Sequence, residues 1–242
     1  MFTQKRKGIL IQARLSSSRL PKKMLMSLGE YKLVEFVYKR CLLSKESDVC
    51  AVITSSDKSD DDLYAFCIKK GINVFRGSLN NVLQRYIDAS NFYQLNSVCR
   101  VCGDSPFVDV RYIDDMFLGL KNEKFEYIGF DKDTILHGLD SEVFKVEILK
   151  SLLNEDLSDE DIEHVTLFIK NNLEKYKYKT IVSSFSQEAV ENIRFTVDHK
   201  KDLDRCRKYY QNYLNSISFT RGDILSAIEK ESNVRHNRVC PK

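Results

Sequence analysis

Residues 8–23 read GILIQARLSSSRLPKK, and the fold is decided by the change of character at Gln12. Gly8-Ile-Leu-Ile11 is a short apolar run, whereas the stretch from Gln12 to Lys23 carries four cations, three consecutive serines and no acid. An apolar run that ends abruptly in such a loop reads as the first strand of a parallel α/β sheet, because ligands of these sheets settle beyond the carboxyl ends of the strands. Basic residues precede the run in MFTQKRK. It nevertheless breaks within about 5 residues, short of the 7 or more of a secretory h-region, and is read as strand 8–13.

The rest of the chain supports this reading. Apolar runs alternate with amphipathic stretches: helix 32–43, strand 49–54, helix 60–70, strand 73–75, helix 80–91, strand 97–101 and helix 112–120. This is the βαβ rhythm of a mostly parallel sheet with helices on both faces. Residues 121–175 are less regular, with a strand at 125–129, the segment HGLDSEVF at 137–144 and two helices, one of them starting after the acidic run 154–160. The tail returns to strands at 179–185 and 192–197, then helices at 201–214 and 221–231, the second capped by Thr220. No repeat or linker divides the sequence, so one domain over 1–242 is expected, with 121–175 as its acceptor or oligomerisation segment.

Composition narrows the function. The chain has 242 residues, 43% hydrophobic, with a formal charge of +3. That is enough for a full core, and too balanced for a general attraction to nucleic acid. No segment approaches the roughly 18 apolar residues of a membrane span. Seven cysteines, an odd number without paired spacing, indicate a reducing cytoplasm. Cys99 and Cys102 form a C-x-x-C inside a predicted strand, where residues three apart face opposite sides, so neither zinc nor redox use is expected. The acids Asp57, Asp60, Asp61 and Asp62 read as a helix start with Ser59 as N-cap.

Three clusters fall at predicted strand ends: the loop with Arg14, Arg19, Lys22 and Lys23; Gly103-Asp104; and Asp198. Guanidinium groups suit phosphate because they donate two parallel hydrogen bonds, and Ser16, Ser17 and Ser18 add hydroxyls and successive N–H groups that can form an anion nest. The loop is neither a P-loop nor a G-x-G-x-x-G turn, and on charge alone a solvated basic loop remains the alternative. Mg²⁺ is usually held by one or two carboxylates with substrate phosphates, and Asp104 and Asp198 are candidates. Each taken singly is as readily a turn or cap residue; their conjunction with the loop points to metal-assisted phosphoryl chemistry.

The motifs Q-A-R-x-x-S-S-R-L-P-x-K at 12–23, V-F-R-G-S at 74–78, V-L-x-R-Y at 82–86, R-x-x-G-D-x-P at 100–106 and R-x-T-V-D-x-x-x-D-L at 194–203 resemble the cytidylyltransferases of the spore-coat polysaccharide type, relatives of the CMP-sugar-acid synthetases. The resemblance implies a Rossmann-like, GT-A-like nucleotidyltransferase fold and Mg²⁺-dependent transfer of CMP from CTP to a sugar or sugar-acid acceptor, with release of pyrophosphate. It implies nucleotide contacts for Gln12, Ala13, Arg14, Ser16, Ser17, Ser18, Arg19, Lys23, Arg76, Gly77, Arg100, Gly103 and Asp104. It implies catalytic roles for Arg14, Lys23, Asp104 and Asp198, with both aspartates as metal ligands. G-L-D-x-E-V-F at 138–144 and E-H-V-T at 163–166 also match, implying acceptor contacts for Glu142 and His164, and the relatives' habit implies a homodimer. Ser16, Asn81 and Ile162 depart from the pattern, which has Gly, an acid and Arg there. A glycosyltransferase of related fold and a non-catalytic nucleotide-binding protein are the alternatives, although a strand end reading G-D-S-P lacks the D-x-D favouring the first. All of this requires the cationic loop and the two aspartates to face one cleft.

Overall fold

The computed structural model describes residues 5–239 except 122, 123, 132 and 184, with side chains described as far as Glu231. In chain order the first half comprises β1 (Lys7–Gln12), β2 (Ser27–Leu28), β3 (Tyr31–Lys32), α1 (Leu33–Cys41), β4 (Val49–Ser55), α2 (Asp61–Lys69), β5 (Val74–Gly77), α3 (Val82–Phe92), β6 (Ser97–Cys102) and α4 (Val110–Lys121). The second half comprises β7 (Tyr127–Phe130), β8 (Glu142–Lys145), α5 (Val146–Ser151), α6 (Asp159–His164), α7 (Leu167–Asn171), β9 (Tyr178–Ile181), α8 (Gln187–Asn192), α9 (Lys200–Tyr209) and α10 (Arg221–Val239).

Seven strands form one sheet in the order β5-β4-β1-β6-β8-β7-β9, and β2 and β3 form a separate hairpin. β1 is central, parallel to β4 and β6, and β8 runs antiparallel to both β6 and β7. The alternation of β1 explains its place. Ile9 and Ile11 pack into a core with α1, α4 and α9, while Leu10 packs into the opposite core with α3, α5 and α7. All three side chains are fully buried, each contributing roughly 1.5–3 kcal/mol of transfer free energy. A strand covered on both faces has to be apolar throughout, as Gly8–Ile11 is.

The mostly parallel, helix-covered sheet matches the sequence reading, and six departures are local. Residues 192–197 are not a strand: Asn192 ends α8, and the segment makes one isolated bridge, His137 to Arg194. It lies along the chain at 104 and 137 through the bonds Val197 N to Asp104 O (2.8 Å) and Phe195 N to His137 O (2.7 Å). The strand expected at 179–185 ends at Ile181, with Ser184 outside the described residues. The strand expected at 125–129 is β7, displaced by two residues at its start. The middle helix starts inside the acidic run, at Asp159, where Ser158 forms a capping box with Asp161. The expected tail helix 201–214 is α9 continued by a π-helical turn over Tyr210–Leu214. Finally, Ser59 is not the N-cap of α2. Asp60 precedes that helix without a side-chain cap bond, and the Asp57 carboxylate accepts from Ser59 N.

Thr220 and Asp223 cap α10 reciprocally, as the sequence suggested. Cys99 packs in the core and Cys102 faces the other side of the sheet; burial pushes the Cys102 thiol up to about 11, leaving it protonated and poorly reactive. Among the described residues no helix is long and apolar enough to cross a membrane.

Candidate active site

The loop after β1 is built before any ligand arrives. Asp60 is fully buried, and its carboxylate accepts from Leu15 N at 2.7 Å, from Ser55 N at 3.2 Å and from the Ser55 hydroxyl. This ties the loop to the carboxyl end of β4. Ala13 N donates to Ile53 O and Gly103 N to Gln12 O, so the ends of β1, β4 and β6 are locked together. A Cβ at Gly103 would lie 3.0 Å from Gln12 O, which is why the chain passes that point as glycine. Within the loop, Ser17 N and Lys22 N donate to Leu15 O and Ser17 Oγ accepts from Leu20 N. Among the described residues the N–H groups of Ser16, Ser18 and Arg19 find no protein acceptor. Free N–H groups this close in the chain form an anion-binding concavity.

Every cation of the loop meets a carboxylate from a remote part of the chain. Arg14 pairs with Glu163 at 2.9 Å, Arg19 with Asp198 at 2.6 Å and Lys22 with Asp62 at 2.9 Å. Lys23 is 6% exposed; its ammonium donates to Asp104 at 2.6 Å and Val197 O at 2.7 Å and lies 3.5 Å from Asp198. Asp104 and Asp198, 94 positions apart in the sequence, therefore converge on one positive charge. Two carboxylates around one cation is a donor set that Mg²⁺ completes with phosphate oxygens and water. Arg194 also pairs with Asp198. Asp202 accepts from the N–H groups of Asp198 and His199, fixing the backbone that presents Asp198.

A second group lies on the antiparallel side of β6. Glu142 is almost fully buried, and its oxygens meet Arg100 at 2.8 Å, Tyr127 OH at 2.7 Å, Thr166 Oγ1 at 2.7 Å and Lys170 at 3.0 Å. Burial alone would raise its pKa; the charges of Lys170 and Arg100, with the Tyr127 and Thr166 hydrogen bonds, overcome it and hold the carboxyl at about 2. Thr166 reaches Glu142 through a strained backbone. Val165 has φ +60 and ψ −54, a tight three-residue turn closed by Thr166 N to His164 O at 2.6 Å, rare for a β-branched residue and costing of order 1–3 kcal/mol. Gly138, at φ +97, faces Phe195 and Thr196, whose backbone atoms a Cβ would meet at 2.6 Å. This contact seats residues 137–142 on the segment carrying Asp198. A cavity of about 350 Å³ lies here, walled by Arg100, Ser105, Asp131, Asp140, Glu142 and Lys170 among others.

Gln12, Ala13, Arg14, Ser16, Ser17, Ser18, Arg19, Lys23, Gly103 and Asp104 thus lie at the carboxyl ends of β1 and β6, and ion pairs from Arg19 and Lys23 bring Asp198 to them. Arg100 and Glu142 pair with each other at the adjacent cavity. Arg76 lies near the carboxyl end of β5, the edge strand beside β4. It donates to Ser55 O, Asp57 O and Asp61, and beside it a Cβ at Gly77 would meet the buried Arg85 side chain at 2.9 Å. His164 is exposed at the end of α6, and its neighbour Glu163 is what reaches the loop.

The cytidylyltransferase family profile matches residues 9–224 of this arrangement. The chain belongs to the cytidylyltransferase family. This cytidylyltransferase is a CTP-dependent nucleotidyltransferase. It is 30% identical to the spore coat polysaccharide biosynthesis protein SpsF of Bacillus subtilis (strain 168), over 95% of this chain and 96% of that protein. It is similar to a cytidylyltransferase from Leptospira borgpetersenii serovar Hardjo-bovis (strain JB197), with TM-score 0.87 and 28% identity over 96% of this chain and 97% of that one. The fold is also that of a CMP:2-keto-3-deoxy-manno-octonic acid synthetase complexed with CTP, with TM-score 0.63 and 14% identity over 86% of this cytidylyltransferase and 99% of that chain.

Sequence reasoning gave no role to Asp60, Arg194, Thr166 or Lys170. Arg194 and Thr166 stood inside quoted motifs and Asp60 inside the acidic run, so position alone offered a signal for those three. Nothing marked Val165 as the strained residue.

Proposed function

We propose that this cytidylyltransferase moves CMP from CTP to the oxygen of a small sugar-type acceptor in surface-glycan synthesis, using Mg²⁺. The observation that carries the reading is the convergence of Asp104 and Asp198 on Lys23, beside a loop with three unpartnered N–H groups. The acceptor oxygen bonds to the α-phosphorus in line, the bond from that phosphorus to the bridging oxygen breaks, and pyrophosphate leaves. The acceptor proton passes to solvent.

The loop N–H groups of Ser16, Ser18 and Arg19 take phosphate oxygens, Arg14 exchanges its exposed partner Glu163 for phosphate, and the exposed Arg19 guanidinium reaches phosphate from beside the buried Asp198. The exposed Arg14–Glu163 pair is worth only about 0–1 kcal/mol, so that exchange costs little. Lys23 has all its donors directed at Asp104, Asp198 and Val197 O; its work is to hold the two carboxylates together, and it reaches a phosphate by giving up one of them. Asp104 and Asp198 would hold Mg²⁺, which supplies neutralisation of phosphate charge when bound. Positioning of preorganised charge does most of the catalysis.

The names of the SpsF protein and of the octonic acid synthetase support a glycan setting and a sugar-type acceptor. The test is a pyrophosphate-release screen pairing each nucleoside triphosphate with sugars, sugar phosphates and keto-sugar acids, with Mg²⁺ and then with chelator. CTP with one acceptor class, abolished by chelation, is the expected result. Release indifferent to nucleotide, or to chelator, would refute it.

A further inference from the structure

The cavity beside Glu142 carries information about the acceptor that the family reading does not supply. Its described walls carry two cations, Arg100 and Lys170, and three acids, Asp131, Asp140 and Glu142. Both cations are already spent on Glu142, at 2.8 and 3.0 Å, and Glu142 takes two hydroxyl donors besides. Asp131 and Asp140 accept only local backbone N–H groups, from Asp133 and Gly138, and make no ion pair among the described residues. Among the described residues the cavity thus presents acceptor oxygens without a free cation. Ser141, 7% exposed, also lines it, with its hydroxyl hydrogen-bonded to the Cys99 thiol. On the apolar side, Gly129, Phe130, Ile135 and Leu173 offer a surface for the C–H face of a ring.

We infer that the body of the acceptor lodged in this cavity is polyhydroxylated or amine-bearing and has no carboxylate, because Glu142 has consumed the cations a carboxylate needs while Asp131 and Asp140 stand open to hydroxyl and ammonium donors. The inference rests on the proposed CMP transfer and narrows its acceptor. A carboxylate brought here meets two like charges and no counter-ion, which discriminates against it by repulsion as well as by lack of partners. Glu142 is a specificity-determining residue on this account: it keeps Arg100 and Lys170 from recruiting a sugar acid.

The experiment uses three acceptors that share a phosphate as attacking group and differ in the body, with one keto-sugar acid that attacks through a hydroxyl beside them. Glucose 1-phosphate and glucosamine 1-phosphate are compared with glucuronic acid 1-phosphate, and 3-deoxy-manno-octulosonate is included as a keto-sugar acid. Pyrophosphate release is measured with CTP and Mg²⁺ for the wild type, Glu142→Gln and Asp131→Asn. Wild-type kcat/KM for the hydroxyl or amine acceptors is expected to exceed that for either acid by roughly tenfold or more. Glu142→Gln frees both cations and is expected to bring the acid-to-neutral ratio to within about threefold or reverse it. Should that variant fail to fold, Asp131→Asn, which keeps the bond to Asp133 N, is expected to raise the ratio by itself. Wild-type preference for an acid, no turnover of any hydroxyl or amine acceptor, or a ratio unmoved in both folded variants would overturn the inference. Failure of the underlying reading shows separately, as loss of Mg²⁺-dependent CTP binding in a titration without acceptor.

Discussion

Replacing Glu142 by glutamine should change how stability depends on acid, and the size of the change follows from its surroundings. The carboxyl is held at about 2 against an ordinary 4.5, a difference worth about 3 kcal/mol at 1.36 kcal/mol per pH unit. Its folded-state pKa is lowered, so this stability is fully present above pH 4.5, declines as the pH falls below it, and is lost as the pH passes through about 2. Glu142→Gln keeps the shape but removes the charge, leaving Arg100, whose side chain is 14% exposed, without its counter-ion; breaking a buried pair on one side costs about 3–5 kcal/mol. Urea unfolding of wild type and variant at steps from pH 7 to 2 measures the difference. It should be about 3 kcal/mol at pH 7 and shrink toward zero near pH 2. A difference that stays constant over that range, or one below about 0.5 kcal/mol at pH 7, would refute the claim that Arg100 and Lys170 hold an ionised Glu142.

Lys23→Ala should leave Asp104 and Asp198 facing each other without their shared cation, lowering turnover by roughly 100-fold or more while circular dichroism stays that of a folded α/β chain. Asp60→Ala removes the acceptor for Leu15 N and Ser55 N, each lost buried bond costing about 1–3 kcal/mol; thermal melting should fall and KM for CTP should rise more than kcat drops, because the loop loses its anchor. Gly138→Ala places a methyl against the backbone of residues 195 and 196 at a positive φ, and should destabilise by roughly 2–4 kcal/mol in chemical unfolding.

The cationic loop and the glycine-aspartate turn were legible in the sequence because their chemistry is written in local order. Ile9, Leu10 and Ile11 give the buried strand, and the cations and serines after Gln12 give the loop at its end. Gly103-Asp104 follows the apolar run of β6 in the same way. Residues 192–197 misled because NIRFTV alternates like a strand, yet Phe195 and Val197 are buried against the core while the backbone pairs at single points with His137 and Asp104. The tertiary path decided that segment. Asp60 looked like one acid among four, and only the return of β1 beside β4 reveals it as the carboxylate that anchors the loop. Glu142 was found, but not its partners, since Arg100 comes from β6, Tyr127 from β7, and Thr166 and Lys170 from α7 and its N-cap, three elements that no local pattern connects. The turn at Val165 is invisible in sequence, because its strain is imposed by the contact it serves.

The claim on which the account depends is that Asp104 and Asp198, gathered by Lys23, form the metal-and-triphosphate end of the cleft. Calorimetric titration of CTP into the wild type and into Asp198→Asn, each in Mg²⁺ and in chelator, tests it most directly. Binding by the wild type that weakens by roughly tenfold or more on chelation, with little dependence on Mg²⁺ left in the variant, is the expected result. CTP affinity that is the same in all four titrations would contradict it.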